Sequence, residues 1–218
     1  MNIFKIKIPK QILLLLILAI VLNILRIFFF GSTAFVYILW NILLAFVPFL
    51  ISSILLLHTN KNNIIKPFFI IGFILWFVFL PNAPYVITDF IHLGRIRAVP
   101  IMFDIFVLFS SAWVALLLGL YSIAHMEKIL LSKFSKKVVN IIILITILFT
   151  SFGVYLGRYL RFNSWDFFIS HNSLLASIGK IFTQSSNYAN VYGYTLLFFF
   201  FIYISYLSFK HINTDIKL

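Results

Sequence analysis

Long unbroken runs of apolar residues, separated by short polar stretches, make up most of this chain. They fall near residues 12–30, 34–57, 67–87, 101–124, 138–157 and 191–209. A helix of about 20 such residues crosses the roughly 30 Å hydrocarbon core of a bilayer. The period-two alternation of a barrel strand is absent, and an isolated strand in lipid would leave its backbone groups unpaired, so each run is expected to be a helix. The predicted fold is therefore all-α: a polytopic transmembrane helical bundle of about six spans, forming a single integral membrane domain over residues 1–218.

The first run needs separate treatment, because Lys5, Lys7 and Lys10 before it and Ser32-Thr33-Ala34 after it imitate a secretory signal peptide. A signal core is usually about 7 to 15 residues long, shorter than the run over 12–30, and further spans follow. An uncleaved first helix is the expectation. The segment between the fifth and sixth runs, 158–190, is long enough to hold structure of its own. Asn163 can cap a helix with Asp166 three residues on, and Phe168, Leu174, Leu175, Ile178, Ile181 and Phe182 then recur near helical spacing. This pattern predicts an amphipathic helix lying in the membrane interface.

Composition sharpens the class. Hydrophobic residues are 63% and charged residues 10%, against roughly 25% charged in soluble domains, which excludes an ordinary soluble globule. With no cysteine, the chain has no disulfide, thiolate metal site, iron–sulfur cluster or cysteine nucleophile. The net charge of +12 does not indicate nucleic acid as a partner, because the Lys and Arg lie between apolar spans rather than on one folded patch. They serve instead to orient the chain. Lys5, Lys7, Lys10, Lys61, Lys66, Lys128, Lys133, Lys136, Lys137, Lys210 and Lys217 fall on one side of the six spans. The smaller set of Arg95, Arg97, Arg158, Arg161 and Lys180 falls on the other. The positive-inside rule makes the first side cytoplasmic, with both termini there.

The informative polar residues gather on the opposite, outward side. Only 14 residues separate Lys66 from Pro81, too few to cross, so the third helix is expected to continue through Pro81 and Pro84 with a broken outer end. Each proline removes the hydrogen bond to the carbonyl four residues earlier, which would free the Phe77 and Leu80 carbonyls near Asn82. Freed backbone at membrane depth is buried in protein or lines a wet cavity, as in discontinuous transporter helices. Asp89 and His92 are three apart and share a helical face, and Asp104 lies about one turn inside the fourth run, where a carboxylate must face the bundle interior. Arg158 and Arg161 share a face after Gly153 and Gly157, whose spacing suits close helix packing. Asn163 and Asp166 follow them. Arginine grips carboxylate or phosphate through two parallel bonds. Asn23 and Asn41, deeper in their spans, are expected to bond between helices.

Three functions fit these residues. One is recognition or transport of an anionic lipid or envelope precursor, with Asn82, Arg95, Arg158, Arg161 and Asn163 as the binding groups. The second is an outward-facing enzyme in which Asp89, His92, Asp104 and Asp166 act as general acid and base or, with His171, hold a divalent metal, although no usual zinc motif is present. In the third, an accessory subunit, the same charges only tie helix ends together.

Several of these segments resemble the multipass bacterial membrane protein family known as domain of unknown function 1361 (DUF1361). The matching words are Phe79-Leu80-Pro81-Asn82-Ala83-Pro84-Tyr85, Thr88-Asp89 with His92-Leu93, Asp104, and Gly157-Arg158 through Arg161-Phe162-Asn163-Ser164-Trp165-Asp166. Phe103 and Phe162 stand where other aromatics are expected. The resemblance runs from about the second helix to the fifth loop. It implies a bacterial cell membrane and brings no activity, cofactor or protein partner with it.

Overall fold

Helix forms along each apolar run, and local chemistry sets where each helix stops. The structure is a computed structural model that describes residues 8–59, 66–94, 99–183 and 188–215. In chain order the helices are α1 (Lys10–Phe30), α2 (Val36–Thr59), α3 (Lys66–Phe79), α4 (Asn82–Tyr85), a 3₁₀ segment (Val86–His92), α5 (Ile101–Leu131), α6 (Lys136–Tyr159), α7 (Asp166–Ile169), α8 (His171–Thr183) and α9 (Tyr188–Asp215). Among the described residues there is no strand, and six stretches are long and apolar enough to cross a membrane: Lys10–Phe30, Val36–Thr59, Pro67–His92, Ile101–Leu131, Lys136–Tyr159 and Asn190–Ile212. The protein is thus an all-helical, multi-pass integral membrane protein.

The chain forms two compact units, Met1–Met126 and Glu127–Leu218. In the first, α1 closes on Gly31, whose φ of 61° is the left-handed conformation glycine adopts without strain. Its N–H returns to the Ile27 carbonyl at 2.9 Å. Ala19 of α1, Ile38, Ile42, Ala45 and Phe49 of α2, Ala83 of α4, and Val107, Leu108, Ala115 and Leu118 of α5 form one buried cluster. The outer surface is also apolar. Leu14 and Phe28 of α1 and Phe106 and Phe109 of α5 are exposed, an arrangement tolerable only where lipid replaces water. Polar fasteners are placed inside. Trp76 of α3 donates its indole N–H to the Ser122 hydroxyl of α5 at 2.6 Å. The Ser53 hydroxyl of α2, bonded to the Phe49 carbonyl, lies 3.3 Å from the His125 ring nitrogen of α5.

The third span breaks at its prolines, as the sequence predicts, and the structure shows how the break is healed. The α-helix ends at Phe79, one further turn spans Asn82–Tyr85, and the chain then tightens into the 3₁₀ segment. The Leu80 carbonyl, expected to be freed by Pro84, instead accepts from the Ala83 N–H at 3.1 Å. Winding with a shorter repeat supplies an i+3 donor where the i+4 donor is missing. Diverting Ala83 deprives Phe79 of its helical donor, and the Asn82 side-chain amide fills that place at 2.8 Å.

In the second unit α6 packs along α9, and Tyr155, Ile181 and Val191 make a small core that fastens α8 against both. The helix predicted between the fifth and sixth spans is therefore present, preceded by the single turn of α7. Ile181 of the predicted apolar stripe faces the protein, while Leu175 is exposed.

Candidate functional site

At the first turn of α5, Asp104 is positioned by Phe103 and Asp104 N–H bonds to the Pro100 carbonyl. A carboxylate there is favoured by the positive end of the helix dipole. Its main partner is Arg26 of α1. The guanidinium Nε lies 2.8 Å from one carboxylate oxygen and a terminal nitrogen 3.3 Å from the other, with side chains only 1% and 2% exposed. The remaining terminal nitrogen donates to the Ser32 carbonyl at 3.1 Å and its hydroxyl at 2.9 Å. The Arg26 guanidinium carbon also stands 4.2 Å from the centre of the Phe35 ring. Both charges are thus compensated without solvent, as burial requires, and Asp104 faces inward as predicted.

Asp89 is also buried and held from another helix. Asn41 of α2 donates its amide to a carboxylate oxygen at 2.9 Å, the interhelical bond expected of an intramembrane asparagine. Asn23 differs: its amide donates within α1 to the Ala19 carbonyl, four residues earlier, at 2.9 Å. His92 ends the 3₁₀ segment with its ring edge-on to Tyr37, 5.8 Å between centres. Asn82, a proposed binding group, has the local task of capping Phe79 described above.

In the second unit, α6 ends with Arg158 in its last turn and Arg161 just beyond. Arg161 is exposed and adopts φ 57°, among the described residues the one non-glycine with positive φ. The Phe162 N–H reaches back to the Leu156 carbonyl at 3.3 Å as the chain reverses there. Two residues on, the Asn163 backbone N–H donates to an Asp166 carboxylate oxygen at 2.7 Å, and the Asp166 N–H returns to the Asn163 carbonyl at 3.0 Å. Asp166 thereby ties the turn before α7, reversing the capping direction expected from Asn163. Among the described residues Arg161 has no ion-pair partner. Arg95 and Arg97 and the side chain of His171 lie outside the described residues.

The protein family described as "Protein of unknown function (DUF1361)" matches over residues 40–205, from α2 into α9. The chain belongs to the DUF1361 family. Within the DUF1361 stretch lie Asn41, Asn82, Asp89, His92, Asp104, Arg158, Arg161, Asn163 and Asp166; Arg26, Tyr206 and Lys210 lie outside it. No curated protein and no solved structure matches the chain.

One charged cluster in this DUF1361 protein carries no signal in the sequence. Glu127, near the end of α5, is buried and accepts bonds from the Tyr206 hydroxyl and the Lys210 ammonium, both on α9. Its partners are 79 and 83 residues away, so only the α9 packing reveals them. Among the described residues no three His, Asp or Glu side chains gather within reach of one metal ion. Asp104 and Asp89 instead meet Arg26 and Asn41, and Asp166 meets its own turn. Chemically, this leaves an exposed guanidinium at the end of a span, suited to hold a phosphate or carboxylate.

Proposed function

We propose that the end of α6 is an outward-facing recognition site for the phosphate of an anionic lipid or lipid-linked envelope precursor, with Arg158 and Arg161 as its cations and Asn163 beside them. Arg161 carries the reading. A left-handed backbone disfavours any side chain by about 1–2 kcal/mol, and glycine relieves that strain. The left-handed backbone at Arg161 is unfavourable for the fold, and its guanidinium is exposed with no ion-pair partner among the described residues, open to an anion. A ligand for its charge accounts for an arginine there. Lys180 of α8, also exposed, adds positive charge to the same segment. The outward assignment rests on the excess of Lys in the other loops.

Arg161→Gly separates fold from function. It removes backbone strain, so thermal stability in detergent should hold or rise, while retention of phosphatidylglycerol through purification, read by native mass spectrometry, should fall about tenfold, the weight of one charge-assisted bond. Arg158→Gln should weaken retention, and Arg161→Lys should keep part of it. Retention at the wild-type level in both Arg161→Gly and Arg158→Gln would sink the proposal.

A further inference from the structure

We infer that α7 and the start of α8 form an apolar wedge seated in the outer leaflet, so that the anion reaching Arg161 is the headgroup of a bilayer lipid and not a soluble phosphate. This inference rests on the reading of Arg161 given above. It begins from exposure. Phe167 and Phe168 are each 49% exposed, Ile169 is 76% exposed and Leu175 63%. Three consecutive large apolar side chains open outward from one four-residue turn. In water such a cluster is a liability.

The position of the wedge names its occupant. α6 and α9, which flank it, are both long and apolar enough to cross the membrane. A segment joining two consecutive spans begins and ends at one membrane surface, so the exposed cluster continues the lipid-facing surface of the helices on either side of it. Ile181 is buried against Tyr155 and Val191, which fastens the far end of α8 to those spans. The exposed charges are cationic, Arg161 before α7 and Lys180 near the end of α8, complementary to anionic lipid headgroups. Asp166 is turned back onto the Asn163 N–H, which couples the wedge to the arginine turn through two residues of backbone. α8 also has a water side. At 3.6 residues per turn, Ser173 lies about 200° around the helix from Leu175, and both are exposed.

The chain has no cysteine, so a single introduced thiol reports one site in the full-length protein. Nitroxide labels on Ile169→Cys, Leu175→Cys and Ser173→Cys are compared in vesicles of phosphatidylethanolamine and phosphatidylglycerol, by collision with oxygen and with a water-soluble nickel chelate. The first two labels should favour oxygen several-fold and Ser173→Cys the chelate. Excess inorganic phosphate should leave phosphatidylglycerol retention unchanged. Chelate-accessible labels at Ile169 and Leu175 overturn the wedge, as do labels shielded from both reagents, which would mark a second copy or another protein as the occupant. Displacement by inorganic phosphate overturns the lipid source. These failures are distinct from that of the arginine site, which falls if both Arg161→Gly and Arg158→Gln retain lipid at the wild-type level, whatever the label depth.

Discussion

Arg26 and Asp104 show how a buried pair of opposite charges is held in this protein. Each is buried, each satisfies the other through two contacts, and Ser32 and Phe35 occupy what remains of the guanidinium. Removing one partner of such a pair leaves a bare buried charge and typically destabilises by about 3–5 kcal/mol, whereas replacing both by apolar residues of similar volume is often near neutral. Asp104→Asn is therefore expected to lower the unfolding midpoint in a detergent titration markedly, and Arg26→Met with Asp104→Leu to recover most of it. A double variant as unstable as the single one would mean that the pair has a role beyond mutual neutralisation. At this scale the sequence is half legible. That Asp104 must face inward follows from its place inside an apolar run. That its partner lies 78 residues earlier does not, because pairing depends on which helices become neighbours. Asn41 with Asp89, and Glu127 with Tyr206 and Lys210, were hidden for the same reason.

The third span carries the local irregularity that the element scale must explain. Proline chemistry predicts where it breaks; it does not predict that a 3₁₀ turn and the Asn82 amide take up the loosened carbonyls, since both depend on how the chain winds afterwards. The break is also braced from α5. A Cβ placed on Gly119 would stand 2.8 Å from the Ala83 methyl, so the absence of a side chain lets α5 close on α4 between the prolines. Small residues serve this purpose in membranes, where no hydrophobic force between helices substitutes for close packing. Gly119→Ala should destabilise by about 1–3 kcal/mol through overpacking, and adding Ala83→Gly should restore stability by vacating the space. The comparison is read as unfolding midpoints of the two single variants and the double. If Gly119→Ala alone is as stable as the wild type, the two helices are not held at that contact.

At the scale of the whole molecule, six stretches among the described residues are long and apolar enough to cross a membrane, and with the lysine excess in one set of loops they support our proposal that both termini are cytoplasmic. Span number is the part of the fold most legible in the sequence, because it is a sum over many residues and tolerates errors at any one boundary. The amphipathic α8 follows from periodicity, whereas the exposed turn of α7 does not, being too short to show a period. Orientation determines what the arginine turn can meet. A green fluorescent protein joined after Leu218 should fluoresce, and alkaline phosphatase at the same place should be inactive, since the first folds in the cytoplasm and the second only outside. Phosphatase fused after Asn163 should be active. Replacing Lys133, Lys136 and Lys137 together by Gln should weaken the bias and yield a mixed population, because short loops near span ends weigh most in the rule. A carboxyl terminus that reports from outside would put Arg158 and Arg161 in the cytoplasm, where envelope precursors on the outer leaflet cannot reach them, and the orientation and the outward site would fail together.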